Sequence, residues 1–291
     1  MKVDKFRTVI IYITIILLGL VCLLPLLNIV AISFSSSAAV EGNMVGLIPV
    51  GFSTAAYKKI LEDSQFWHSF LISVERVVLT LIINFVLIVL MAYPLSKTNA
   101  QFRGRNIYAN LMIFAMLFNG GMIPTFLLVK SYGLLNTIWA LVLPGAVPIF
   151  NVILVMNFFA AVPKELEEAA FIDGANPLQV LTKIFIPISK PVLATVSLFS
   201  IVGSWNDFYS GLIYMSKATY YPLMTYIQSL QINVEDLIKQ GNLSAVVDSA
   251  SLGNTNLNAA KIVVAVIPLL LIYPLLQRYF VSGIVVGSVK G

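Results

Sequence analysis

Apolar residues run almost unbroken through six stretches of the chain, near Val9–Ile32, Phe70–Tyr93, Ile107–Val129, Ile138–Ala160, Pro191–Tyr214 and Ala259–Phe280. Each is long enough, at about 1.5 Å per helical residue, to cross about 30 Å of hydrocarbon. The runs are continuous rather than alternating, which argues against a transmembrane barrel of short strands. The pattern therefore predicts an all-α membrane protein, a single domain over residues 1–291 with six transmembrane helices. Between the spans, the polar positions gather into one inner loop, 161–190, and two long outer loops, 33–69 and 215–258. Composition strengthens this reading: 59% of residues are hydrophobic, 11% are charged, and the mean hydropathy is +0.92. A soluble domain carries roughly 25% charge. The balance excludes a soluble enzyme, a disordered tail and an ordinary nucleic-acid binder, and makes lipid the main solvent.

Charge orients the spans. With the N-terminus inside, the inner segments hold Lys2, Lys5, Arg7, Lys97, Arg103, Arg105, Lys164, Lys183, Lys190, Arg278 and Lys290. The outer segments hold fewer: Lys58, Lys59, Lys130, Lys217 and Lys239, with Arg76 and Lys261 near outer span ends. The excess predicts a multi-pass protein with both termini in the cytoplasm. The first run follows basic residues and precedes small ones, as a signal peptide would. It exceeds the roughly 7–15 apolar residues of such a peptide and reads as a retained span, with the signal peptide as the alternative. In the second outer loop, Tyr226–Ile238 reads as a short amphipathic surface helix. Gly241, Asn242, Asn254, Asn256 and Asn258 read there as solvated loop. The single cysteine, Cys22, and single histidine, His68, leave no intrachain disulfide, no cysteine cage and no His-rich metal or triad chemistry.

The inner loop, AVPKELEEAAFIDGANPLQVLTKIFIPISK, carries the strongest local signals. Pro163 suits the first turn of a helix, and Glu165, Glu167 and Glu168 sit near its positive dipole end. Gly174 suits the left-handed position that stops it. Asn176 and Pro177 form a cap and first-position pair for a second short helix, which Pro187 is expected to end before Pro191 opens the fifth span. The result is a helix–turn–helix with apolar Phe171, Ile172, Leu178 and Ile184 interleaved with charge. It reads either as a docking surface for another protein or as an interfacial hairpin covering the bundle's inner end.

Glu168-Ala169-Ala170, then Gly174, Ile184, Ile186 and Pro187 at their spacings, resemble the EAA loop of ABC-importer permeases. Ile186 stands where that pattern usually has leucine. Gly203-Ser204-Trp205-Asn206-Asp207 is similar to a stretch of the carbohydrate-uptake branch. So are residues 119–147, and the closing Gln277-Arg278-Tyr279-Phe280-Val281 with Gly283, Gly287, Val289, Lys290 and Gly291. The likeness is to the second permease of complex-oligosaccharide importers, the lipoprotein-associated or polygalacturonan type. It implies a type I importer permease fold, with 161–190 as a cytoplasmic coupling loop and Glu165, Glu168, Ala169, Ala170, Asp173, Gly174, Ile184 and Pro187 as its coupling positions. The implied partners are a homologous sister permease, an ABC ATPase dimer, an extracytoplasmic solute-binding protein, an oligosaccharide and membrane lipid, with no nucleic acid. The chain would bind no cofactor itself, ATP and Mg being used by the ATPase. No Gly-x-x-x-x-Gly-Lys-Ser/Thr occurs in the sequence.

Polar residues inside a bilayer are costly, so each is a candidate site. Trp205, Asn206, Asp207 and Tyr209 form one group, able to line a sugar path by ring stacking and hydroxyl hydrogen bonds, or to pack helices. Asn119, Gly120 and Gly121 form another, where glycines either free backbone groups or allow close packing. Arg76 reads as snorkelling to the interface or as facing a vestibule that attracts a uronate. Asn84 and Asn151 read as interhelical hydrogen-bond partners. The rival cargoes on this scaffold are a peptide, a polyamine or a glycerol-phosphate. An intramembrane enzyme would require a clustered catalytic constellation that the sequence lacks.

Overall fold

The computed structural model describes residues 5–230 and 255–288; helices dominate, and no strand forms among them. Lipid cannot satisfy backbone polar groups, so a chain this apolar closes its hydrogen bonds within helices. In chain order these are α1 (Lys5–Ser33), α2 (Ser37–Glu41), α3 (Ala55–Glu62), α4 (Ser64–Leu95), α5 (Arg105–Leu117) and α6 (Met122–Ser131). They continue as α7 (Ile138–Val142), α8 (Ile149–Ala160), α9 (Lys164–Ile172), α10 (Pro177–Val180) and α11 (Ile186–Ile188). The last are α12 (Lys190–Asn206), α13 (Tyr209–Tyr214) and α14 (Thr255–Ser288).

Three stretches are long and apolar enough to cross a membrane unbroken: Arg7–Ser33, Ser64–Leu95 and Thr255–Pro274. Three further candidate spans are bent pairs, giving six if each pair is one span. Two of these pairs fall in the runs 107–129 and 138–160, and the third, Pro177–Ile188 with Lys190–Asn206, reaches from the inner loop into the run 191–214. Between α5 and α6 the axis turns by 110° at Gly120-Gly121, where Gly121 adopts φ +88. The 138–160 run bends by 46° around the turn Leu143–Gly145, next to Pro144 and Pro148, whose rings cannot continue the helical ladder. The 191–214 run breaks at Asp207, which is extended, and α13 restarts at Tyr209.

The chain divides into two compact units. In one, the described residues up to Trp67 join those from Tyr226 to Pro268. Most of the long apolar side chains of α1, from Val9 to Leu27, are exposed, as a lipid-facing helix requires. Lys261 is buried and its Nζ lies 2.7 Å from Asp63 Oδ2, while Tyr226 donates to the same oxygen at 2.9 Å. Burial pushes the Asp63 carboxyl up. Hydrogen bonds from Lys261, the Phe66 backbone and Tyr226 outweigh it and hold the group below its ordinary value. Asn256, expected in solvated loop, instead lies in α14, is buried, and donates to the Ser35 carbonyl at 3.3 Å. Residues 223–230 are helical. The rest of the expected surface helix, Gly241, Asn242, Asn254, and Lys2, Lys239, Val289, Lys290 and Gly291 lie outside the described residues.

In the other unit, His68–Thr225 join the residues from Leu269 onward. Its core packs Ile88, Val89, Ala92 and Leu95 of α4 against Val152, Val155 and Phe159 of α8. Val180, Leu181 and Phe185 of the 161–190 loop and Val192, Leu193 and Val196 of α12 complete it. The loop is thus built into the core, not appended to it. A smaller cluster joins Val129, Ala140, Leu141, Tyr214 and Met215. Near it Gly211 permits a close approach: a Cβ there would lie 2.1 Å from Thr225 Oγ1.

Candidate functional site

The 161–190 loop folds as a helical hairpin. Pro163 leads into α9, whose first turn carries Glu165 and Glu167, and Gly174 adopts φ +82 immediately after Asp173. The reversal is closed by Gly174 N–H donating to Phe171 O at 3.1 Å and Ala175 N–H to Ala170 O at 2.9 Å. Asn176 and Gln179 then exchange backbone and side-chain hydrogen bonds, both 2.9 Å, in a reciprocal cap that starts α10. A π-helical turn over Leu181–Phe185 follows. Pro187 lies one residue before the end of the unbroken helical run Pro177–Ile188, as its expected role as the stop requires, and the chain then bends by 84° into α12.

The hairpin has two faces. Glu165, Glu168, Ala169, Asp173, Gly174 and Pro187 are exposed, with Ile172 (86%) and Leu178 (61%) beside them. Ala170 and Ile184 pack against the core. Glu167, which shares the first turns of α9 with Glu165 and Glu168, turns inward instead. Its Oε2 lies 2.7 Å from Lys97 Nζ just past the end of α4, and both side chains are almost buried. The Tyr93 and Phe185 rings flank the Lys97 ammonium, 4.1 and 4.2 Å from their centroids. Burial pulls the Lys97 amine below its ordinary value, opposed by the hydrogen bond and charge of Glu167.

A second polar region lies along α4. Ser69, Ser73, Arg76, Thr80 and Asn84 are all buried, and their three- and four-residue spacing places them on one helix face. Arg76 does not snorkel. It is 4% exposed, donates from Nη1 to the Asp207 carbonyl at 3.0 Å and forms an ion pair with the Asp207 carboxylate. Asp207 in turn accepts from the backbone N–H of Tyr209 (3.0 Å) and Ser210 (3.1 Å), capping α13 where the span breaks. A carboxylate at the break satisfies the restarting helix, and the arginine neutralises the carboxylate. Asn84 Nδ2 donates to Ser200 Oγ at 3.1 Å, an interhelical bond as expected. The Arg76–Asp207 link and the buried Thr80 are what sequence reasoning missed. The signal was present: polar residues recurring at helical spacing within an apolar run.

Other sequence-predicted residues separate. Trp205 is buried and meets Phe70 edge-on at 5.6 Å, so its ring packs helices and offers no face to a sugar. Asn206 and Tyr209 remain exposed, the Tyr209 hydroxyl lying 3.0 Å from Met122 Sδ. Asn119 Oδ1 accepts from Gly121 N–H at 2.9 Å, within the exposed break between α5 and α6. Among the described residues, no group of three or more His, Cys, Asp or Glu is placed to hold a metal.

Residues 48–286 match the family described as binding-protein-dependent transport system inner membrane component. Protein LplC of Bacillus subtilis (strain 168) is 40% identical over 94% of this chain and 91% of its own length. The polygalacturonan/rhamnogalacturonan transport system permease protein YtcP of the same organism is 39% identical, over 99% of both chains. A solved bacterial ABC transporter involved in the import of the acidic polysaccharide alginate contains a chain that superposes with TM-score 0.84. It is 32% identical, over 96% of this chain and 98% of that one.

Proposed function

This chain belongs to the inner membrane components of binding-protein-dependent transport systems, and from that premise we propose that it carries oligosaccharide across the cytoplasmic membrane. It is a transporter permease subunit, not an enzyme. The cargo is derived from plant or algal polysaccharide, including uronate-containing chains, in keeping with what its relatives are named for. The sister permease pairs with it in the membrane, an ABC ATPase dimer binds inside using ATP and Mg, and a solute-binding protein delivers sugar outside. Both termini lie in the cytoplasm.

One observation carries the reading: the 161–190 hairpin is packed into the core on one face and exposes acidic and apolar side chains on the other. Glu165, Glu168, Ala169 and Asp173 present the docking face. Ala170 and Ile184 seat the hairpin, Gly174 makes its turn, and Pro187 leads towards α12. ATP-driven closure of the ATPase dimer moves the hairpin as one body with α4 and α12, opening the two permeases outward. Asn119, Gly120, Gly121, Asn206, Asp207, Tyr209 and Arg76 then lie along or beside the path, Trp205 supporting it from behind.

The test is ATPase activity of the reconstituted complex, with its binding protein, across a panel of neutral and uronate oligosaccharides. Stimulation by at least one of them is expected. Stimulation only by a peptide, polyamine or glycerol-phosphate would overturn the cargo and leave the permease assignment standing.

A further inference from the structure

We propose that the polar cavity between α4, α8 and α12 is a subsite that holds one sugar ring through its hydroxyl groups. The proposal rests on the importer reading above and adds a place within this chain where the cargo pauses. The cavity measures about 230 Å³. That is below the roughly 300–1,000 Å³ of pockets for drug-sized ligands, so it suits one ring and not a chain.

Its lining is what marks it. Arg76 Nε, Thr80 Oγ1 and Asn84 Oδ1 are buried without a hydrogen-bond partner in the chain, and all three residues line this one cavity. Their spacing of four residues sets them on one face of α4. Asn151 of α8 and Ser204 of α12 line it from the other side. Acyl chains can satisfy none of these groups, so the cavity faces the bundle interior or an aqueous path. Arg76 Nε–H donates, Asn84 Oδ1 accepts and the Thr80 hydroxyl does both, which matches the adjacent donor–acceptor hydroxyls of a sugar. Phe199, 47% exposed, supplies an apolar surface for the C–H face of a ring. Because Asp207 already matches the Arg76 charge, the cavity is neutral overall, and recognition runs through hydroxyls without needing a carboxylate.

Gly145 and Gly203 also line the cavity, and a Cβ at either meets nothing within 4 Å. Gly203 is therefore a position where the cavity can be filled without a steric clash. The experiment measures ATP-dependent oligosaccharide uptake by the full reconstituted complex carrying Gly203→Ala, Gly203→Leu or Thr80→Val. Assembly with the sister permease and thermal stability are measured alongside. Graded loss is expected: a fall of tenfold or more for Gly203→Leu, a smaller one for Gly203→Ala, and a several-fold rise in half-saturating sugar for Thr80→Val, all with assembly intact. Unchanged uptake in Gly203→Leu would mean the cavity holds water alone, and loss of assembly would make it a helix interface; either overturns the subsite. Those outcomes in a complex whose wild type transports sugar leave the importer reading standing. A wild type that transports no carbohydrate overturns both.

Discussion

The α4 helix bears on two ion pairs, and they differ in what surrounds them. Within it, Arg76 meets Asp207 beside a polar cavity whose neighbouring Thr80 and Asn84 keep unmet polar atoms. Just past its end, Lys97 meets Glu167 between two aromatic rings, above an apolar core. Both pairs neutralise a largely buried cation, but only the first lies beside buried polar atoms that lack a partner in the chain. The first belongs to a place that receives something polar. The second is a tie that fixes the hairpin to a span.

Breaking each pair tests the contrast. Asp207→Ala leaves the Arg76 charge buried and alone, and is expected to cost about 3–5 kcal/mol and most of the assembled complex. Thermal unfolding in detergent measures this, and a double variant, Arg76→Met with Asp207→Ala, should recover much of the loss. Glu167→Gln removes charge from a hydrogen bond to an ammonium, at about 1.5–3 kcal/mol. Its signature should be uncoupling, with less sugar moved per ATP, and the exchange Lys97→Glu with Glu167→Lys should restore part of it. Gly174→Leu forces a side chain into a left-handed turn at about 1–2 kcal/mol. It should weaken sugar-stimulated ATPase activity while the spans still fold; unaltered coupling would remove Gly174 from the mechanism.

The smallest effect belongs to a third pair, which joins Asp63, just before α4, to Lys261 in the second turn of α14. The folded Asp63 carboxyl lies below its ordinary value of 3.8. Its contribution to stability is therefore complete above that value and is lost as pH falls through the lower, folded one. Asp63→Asn keeps an acceptor for the buried Lys261 and should unfold about 2–4 °C below wild type near neutral pH. The gap should close as pH drops below about 4, and a gap that widens there would reverse the assigned shift.

Much of this was legible in the sequence. The continuous apolar runs located the spans, and Gly174, Asn176 and Pro177 located the turns of the hairpin, because local chemistry alone decides both. Gly120-Gly121 and Pro144 were visible too, yet the size of a bend depends on packing that no local pattern encodes. The Arg76–Asp207 pair was readable in principle: a carboxylate deep in one span needs a cation at similar depth in another, and Arg76 shares a face with Ser73, Thr80 and Asn84. Glu167 was not readable. It sits between Glu165 and Glu168 with nothing local to mark it as the inward one, and its partner Lys97 lies 70 positions away. Trp205 looked like a sugar platform because its burial against Phe70 is likewise a tertiary fact.

If the exposed face of the hairpin seats on the ATPase while Glu167 ties the other face to the span, a thiol on the exposed face lies at the ATPase interface. The most direct measurement is cross-linking from Ala169→Cys in a Cys22→Ser background, since Cys22 is the one native thiol and is exposed. In the reconstituted importer, Ala169→Cys should cross-link to the ATPase subunit, with a yield that changes when ATP is added. Labelling of that thiol from outside intact cells by a membrane-impermeant reagent, with no cross-link to the ATPase, would place the hairpin on the outer side and remove it from ATPase docking.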